Sequence, residues 1–223
     1  MKDQDLMWEE VKTEHVIRDK WIDLRKSSFR FPNGRIFEPY YTYTKRDYAV
    51  IVATDESGKV ICVRQFRQGI RQITLEFPAG GIEPKDSAEG GTGNSTESGA
   101  DSADSAETSA DNPKKTEEDA AAAEAESALE AAKRELREET GYVSAQWRHL
   151  LTIPSQPTIS DNKAWLFEAR NCRKTEKQDL DEMEFLRVET YDASEISRMI
   201  RAGEFPQAVH ALAWMLAQEE KTP

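Results

Sequence analysis

The sequence predicts an α+β domain in which helices cover the faces of a mixed sheet. Three observations carry this reading: strand patterns fill the first part of the chain, a helical stretch and further strands follow, and two amphipathic helices close it. A chain of 223 residues with 38% hydrophobic content holds one core of ordinary domain size.

The elements follow in order. Ser27-Ser-Phe-Arg-Phe31 and Arg35-Ile-Phe-Glu-Pro-Tyr-Tyr41 flank Pro32-Asn33-Gly34, and Tyr48 to Thr54 and Val60 to Phe66 flank Asp55-Glu-Ser-Gly58. Turn residues between alternating apolar runs predict two β-hairpins. Residues 1–45 read as a β-rich N-terminal segment of the same domain whose main part spans 46–220. A helix is expected over Ala128 to Glu139, ended by Gly141, with Leu129, Ala132 and Leu136 toward the core. Strands are expected near Trp147 to Ile153, Ala164 to Ala169 and Glu184 to Glu189. Asp192-Ala-Ser-Glu195 is an acidic variant of the capping box, with Ile196, Met199 and Ile200 on one face and Gly203 after the end. Pro206 begins the last helix, with Val209, Leu212, Ala213 and Leu216 turned inward.

One stretch does not belong to this pattern. Ser87 to Glu126 holds eleven acidic residues and two lysines, a net of -9 within a chain of net charge -12, and has no Val, Ile, Leu or aromatic residue. Such a segment cannot bury enough apolar surface to offset the entropy of ordering it, so residues 87–126 read as a disordered acidic insertion. Its end differs: Thr116 can cap, acids suit a helix N-terminus, and the alanines carry a helix on into Leu129.

Composition excludes several classes. With 30 basic against 42 acidic residues, nothing suits the chain to nucleic acid phosphates or an anionic membrane surface. No apolar run is long enough to span a bilayer, and Met1-Lys-Asp-Gln-Asp-Leu-Met lacks a signal peptide's basic start and apolar middle, so a cytoplasmic protein is expected. Cys62 and Cys172, with no CxxC pair, are expected to be reduced. His15, His149 and His210 lack ligand spacing and are assigned neither metal nor catalytic work. Tyr40, Tyr41, Tyr43 and Tyr48 read as sheet packing.

The chemistry is concentrated in one helix. Glu135, Glu138 and Glu139 stand at i, i+3 and i+4, which puts three carboxylates on one solvent-facing side. Like charges so spaced cost about 0.2 to 0.5 kcal/mol per pair, so the cluster wants a cation. Mg²⁺, a hard ion that takes oxygen ligands and phosphate together, suits it, with Mn²⁺ as the alternative. A bare ExxEE is ordinarily no more than a solvated acidic face. Its neighbours change that.

Arg134-Glu-Leu-Arg-Glu-Glu-Thr-Gly-Tyr142 resembles the second half of the Nudix box, G-x5-E-x7-R-E-U-x-E-E-x-G-U, at every fixed position. The box glycine would fall at Ala120; it is found instead in Leu75-Glu-Phe-Pro-Ala-Gly-Gly-Ile-Glu-Pro84, which resembles the opening of the box in the ADP-ribose pyrophosphatase branch. Gly80 lies 54 positions before Arg134 where the box needs 14, so 40 residues split the motif. Spacing does not decide whether Asp86 or Glu126 fills the first acidic position, although Glu126 keeps the helical register. Val63-Arg-Gln-Phe-Arg-Gln-Gly69 and Leu180-Asp-Glu-Met-Glu184 extend the likeness.

The resemblance implies a Nudix-type α/β/α sandwich and a metal-dependent attack of water on a diphosphate that carries another group. It assigns Glu135, Glu138 and Glu139 to the metal with the carbonyl of Ala79, makes Arg134 the residue that orients Glu135, and gives Arg67, Glu76, Gly80 and Gly81 to the substrate. A proline fifteen residues past Tyr142 marks the ADP-ribose branch, and Pro157 stands there. ADP-ribose, split to AMP and ribose 5-phosphate, is therefore the expected substrate, with GDP-mannose, NADH and diadenosine polyphosphates as the alternatives and a homodimer as the expected assembly. The loop Pro157-Thr-Ile-Ser-Asp-Asn162 departs from the family's Pro-Gly-x-Ser-x-Glu at Thr158 and Asn162, which leaves the general base among Glu135, Asp161, Glu182 and Glu184. The same departure keeps a non-hydrolytic, nucleotide-sensing Nudix domain open, and the acidic insertion alone suggests an interaction protein.

Replacing Ser87 to Asp111 by a short Gly-Ser link should preserve solubility, folding and most activity, because long loops add only slowly to closure entropy and this one has no apolar anchor. A folded but inactive deletion would make the insertion part of the site.

Overall fold

The computed structural model describes residues 2–83 and 117–219, with side chains from residue 128 onward in the second stretch. The disorder expected of 87–116, the Thr116 cap, Asp86 and the Glu126 side chain lie outside the described residues. After a short 3-10 turn at Asp3–Leu6, the chain runs through β1 (Glu9–Arg18), β2 (Asp23–Arg30), β3 (Ile36–Thr44), β4 (Tyr48–Asp55), β5 (Val60–Arg67), β6 (Gln72–Glu76) and β7 (Ala79–Gly81). Helix α1 (Glu117–Thr140) follows, then β8 (Tyr142–Val143), β9 (Gln146–Pro154), β10 (Lys163–Lys174), β11 (Leu186–Tyr191), α2 (Ala193–Arg201) and α3 (Ala208–Glu219).

The strands form two sheets. β1, β2 and β3 make an antiparallel ribbon whose outer strand β1 is exposed along nearly its whole length. The other eight form a mixed sheet with order β11-β5-β4-β10-β8, β6 on β5, β7 on β4 and β9 on β10; β4 and β10 run parallel. The two sheets meet where Asp161 accepts from Thr44 Oγ1 at 2.6 Å and from Arg25 at 3.0 Å, and where Tyr43 bridges Ser160.

Alternation along the central strands builds a core on each face. Ala49, Ile51 and Ala53 of β4 point to one side, where they meet Ala128, Ala132 and Leu136 of α1 with Trp165 and Phe167 of β10. Val50 and Val52 point to the other, against Ile196 and Met199 of α2 and Ala213, Trp214 and Ala217 of α3. Helices on both faces explain why β4 reads Tyr-Ala-Val-Ile-Val-Ala-Thr with almost no polar residue. Each fully buried aliphatic side chain contributes about 1.5 to 3 kcal/mol. Cys62 and Cys172 are buried free thiols, one in each core. Among the described residues no helix is long and apolar enough to cross a membrane.

One irregularity in this sheet makes room for a site. β4 and β5 pair directly only next to their turn, Ala53 with Ile61 and Thr54 with Val60. Beyond that they diverge, and β6 and β7 fill the gap: β6 pairs with β5 from Val63 opposite Glu76 to Arg67 opposite Gln72, and β7 pairs with β4 through Val50 opposite Ala79 to Tyr48 opposite Gly81. Pro78, between them, accepts from Ile51 N at 2.9 Å.

Two expectations are corrected. α3 begins at Ala208, two residues after Pro206; Ala213 is buried and Val209, Leu212 and Leu216 pack part-buried against the same core as expected, but its most buried face also takes His210, Trp214 and Ala217. The helix is apolar almost all round, so its sequence leaves the inward face weakly specified. The acids of α1 are also not a solvent face: Glu135 and Glu139 are 7% and 3% exposed. β7 lies over that side of the helix, which no helical period reveals.

Candidate functional site

The site forms where β7 crosses α1. Gly141, at φ +74, ends the helix in the left-handed conformation, and Gln178 and Asp179 bond to the carbonyls of Glu139 and Glu138, so the last turn with its acids is held at both ends. Glu135 lies flat on Gly80: a Cβ at residue 80 would fall 2.0 Å from its carboxyl carbon. No other residue type leaves that space. Gly81 differs, since a Cβ there would meet nothing within 4 Å. The amide of Ala79 donates to Glu139 Oε2 at 3.0 Å.

Arg134 gathers the cluster. It donates to Glu135 Oε1 and Glu138 Oε2, both at 2.7 Å, and to the Gly81 carbonyl at 3.0 Å, which ties the helix to β7. Burial, together with the neighbouring Glu135 carboxylate, holds Glu139 well above the usual carboxylate range despite the Ala79 amide. Burial also raises Glu135, against the opposing pull of Arg134, and Glu138 and Glu184 add to the rise. Glu138 is half-buried and shared between Arg134 and Arg137.

Facing these acids, Arg67 and Glu76 form an ion pair, with Arg67 Nε 2.9 Å and 3.0 Å from the two carboxylate oxygens. Glu76 is fully buried and also accepts from Thr74 Oγ1 and from Gln207 Nε2 of α3, the latter at 3.2 Å. Burial opposes its ionisation, yet Arg67 and Thr74 hold it below the ordinary range. A cavity of about 310 Å³ opens here, lined by Tyr48, Arg67, Ala79, Gly80, Gly81, Gln207 and His210. A larger groove of about 470 Å³ between α2 and α3 carries Trp214, Met215 and Ile200 and no acid pair.

The fold thus brings Arg67, Glu76, Ala79, Gly80, Gly81, Arg134, Glu135 and Glu139 together, with Glu138 at the edge. Pro157 is exposed and outside the cavity lining; its loop rests on β3, where Tyr40 donates to the Thr158 carbonyl and Tyr43 to Gln156, each at 2.7 Å. Asp161 is engaged by Thr44 and Arg25, which, against burial, hold it below the ordinary range. Glu184 lies close enough for its charge to raise Glu135 and Glu139, whereas Glu182 is exposed. Tyr48, Gln207 and His210 were not legible as site residues: the first belonged to a strand pattern and the others to an apolar helix.

Among the described residues no three acids or histidines stand in ready coordination. The donor set nonetheless fits a divalent ion. Two carboxylates lie buried one turn apart, Glu135 paired with Arg134 and Glu139 bonded only to the Ala79 amide with Arg67 nearby, and both sit above their ordinary range, so a hard cation suits the pair. Glu135, Glu139 and Glu138 would hold it, with the carbonyl of Ala79 beside them.

No protein-family model matches the chain. An ADP-ribose pyrophosphatase of Bacillus subtilis strain 168 is 26% identical to it over 204 residues, covering 91% of this chain and 88% of its own. A methanol dehydrogenase activator of Bacillus methanolicus is 25% identical over 177 residues, 79% of this chain and 74% of its own. A solved structure of an ADP compounds hydrolase superposes with a TM-score of 0.69 at 20% identity, covering 96% of this chain and 95% of that one. The architecture is that of a Nudix-type α/β/α sandwich.

Gly80→Ala should fold, since the group it displaces is the end of a flexible side chain, but should bind Mn²⁺ at least about tenfold more weakly in a calorimetric titration. Gly81→Ala should bind it like the wild type. Equal affinity in all three proteins would remove Glu135 from the cation site.

Proposed function

We propose that this chain, which carries the Nudix motif on the Nudix fold, is an Mg²⁺-dependent hydrolase that splits ADP-ribose into AMP and ribose 5-phosphate. The observation that carries the reading is the contact between the two halves of the motif: Glu135 seated on Gly80, with Glu139 bonded to Ala79. The likeness to an ADP-ribose pyrophosphatase along 91% of the chain supports the substrate.

Each residue then has a task. Bound Mg²⁺ would neutralise phosphate oxygens and lower the pKa of the attacking water. Glu135, Glu138 and Glu139 would hold the ion. Arg134 fixes Glu135 by a charged bond and draws β7 onto the helix. Glu135 is also the base that accepts the proton of that water in this reading. Asp161, tied to Thr44 and Arg25, is badly placed for that role, and Glu184 is the alternative. Arg67 spends Nε and Nη2 on Glu76, which aims its remaining donors at the diphosphate. Gly80 and Gly81 let backbone approach the substrate closely.

The protein acts as a homodimer in this reading. Trp8, Val11, Ile17, Trp21, Ile36 and Phe37 are exposed apolar residues on or beside the three-stranded ribbon, which supports a partner face there. The likeness to a dehydrogenase activator favours a second reading, in which the chain serves a partner enzyme.

Glu139→Gln should lower kcat for ADP-ribose at least about a hundredfold at saturating Mg²⁺ while leaving the protein folded. Across ADP-ribose, ADP-glucose, GDP-mannose, NADH and diadenosine polyphosphates, kcat/KM should be highest for ADP-ribose. A tenfold preference for GDP-mannose or a diadenosine polyphosphate would overturn the substrate assignment, and unchanged turnover in the variant would overturn the metal site.

A further inference from the structure

The cavity beside Gly80 has two ends of different chemistry. One is β7, whose Gly80 backs onto Glu135 of α1 and whose Ala79 amide holds Glu139. The other is built by α3, where Gln207 and His210, one turn apart, grip consecutive residues of the β6 to β7 connection: Gln207 donates to Glu76, and the amide of Phe77 donates to His210 Nδ1 at 3.2 Å. The imidazole also stacks on Phe77, with ring centres 6.1 Å apart and planes 6° from parallel. Ring position and tautomer are therefore both fixed, and the proton is on Nε2. His210 is 4% exposed, and among the described residues its Nε2–H meets no acceptor. His210 lines the cavity, and this donor is not sealed from it, so it is open to an oxygen that enters.

Apart from the Arg67–Glu76 ion pair, the other groups at this end are uncharged. The Tyr48 hydroxyl accepts from Ser155 Oγ at 3.1 Å, which leaves its own proton for another acceptor. Arg67 is matched by Glu76, and Gln207 adds an amide. Burial pushes the imidazole down to about 4, so it is uncharged at neutral pH. A phosphate would ask for net positive charge here, whereas Arg67 is paired with Glu76; a nucleobase would ask for two flat faces, whereas the lining offers the Tyr48 ring and an imidazole already stacked on Phe77. Neutral donors around a small polar space suit hydroxyl oxygens.

We propose that the α3 end of the cavity is the subsite for the sugar attached to the diphosphate, with His210 Nε2–H and the Tyr48 hydroxyl donating to its hydroxyl oxygens. This rests on the nucleoside diphosphate sugar reading and assigns the recognition of its sugar to a helix that the motif does not contain.

Binding of the two products, ribose 5-phosphate and AMP, to the full-length protein with Mg²⁺ tests it by calorimetry, beside steady-state kinetics. His210→Phe keeps the stacking surface and removes the donor: ribose 5-phosphate should bind about five to ten times more weakly, AMP within about twofold, and the loss with ADP-ribose should appear in KM rather than in kcat. Tyr48→Phe removes only a hydroxyl and should shift ribose 5-phosphate in the same direction, which decides the matter if His210→Phe fails to fold. Equal weakening of both products, or no weakening of ribose 5-phosphate in either variant, overturns the subsite. A wild-type protein that hydrolyses no nucleoside diphosphate sugar overturns the parent reading instead.

Discussion

The structure turns on two carboxylates that share one helical turn and are taken out of water together. Glu135 and Glu139 are nearly buried and close to each other; Arg134 pairs with the first, and the Ala79 amide and the nearby charge of Arg67 act on the second. Removing charge from water is expensive unless it is paired, so the surroundings of this pair are what the fold must supply. A glycine under Glu135, a strand short enough to lie across the helix, and an arginine that reaches both elements are the answers found here. Divergence of β4 from β5 comes first, because without it β7 has no strand to pair with and Gly80 no reason to be near Glu135.

The same constraint explains how a motif survives interruption. The glycine half and the glutamate half meet through space, by Gly80 against Glu135 and Arg134 against the Gly81 carbonyl, although 40 extra positions lie between them. What the chemistry needs is the contact and not the spacing. The connection between β6 and β7 is held from the far side as well, where Phe77 is packed among Phe205, His210 and Trp214. Both cores therefore bear on the site: α1 brings the acids from one face, and α3 steadies the backbone that receives them from the other.

Much of this was legible in the residues. The turn at Pro32-Asn33-Gly34, the helix stop at Gly141 and the bond from Asp192 N to Glu195 are set by local chemistry, so local patterns find them. β1 escaped because its three apolar residues, Val11, Val16 and Ile17, show no alternation to read among the charged and polar ones. β7 escaped because three residues of Ala-Gly-Gly have no strand character until β4 pairs with them. Burial of Glu135 and Glu139 depends on that strand, and the place of His210 depends on the rotation of a helix whose sequence is apolar on every side. Tertiary pairing decides all of these, and a single sequence shows only its local half.

The most direct test of the central claim compares the thermal stability of the wild type with that of Glu139→Gln, near pH 8, with and without Mg²⁺. A carboxyl whose pKa is raised on folding destabilises the folded state whenever the pH lies above its unfolded value, and the penalty fades as the pH falls toward that value. Without metal, then, the variant should melt higher than the wild type by a few degrees, where about 1 kcal/mol corresponds to roughly 2 to 4 °C. Saturating Mg²⁺ should raise the wild type more and reverse the order, because the ion binds the folded state and needs the charge. A variant that melts lower than the wild type in both conditions, with no response of the wild type to Mg²⁺, would contradict the account.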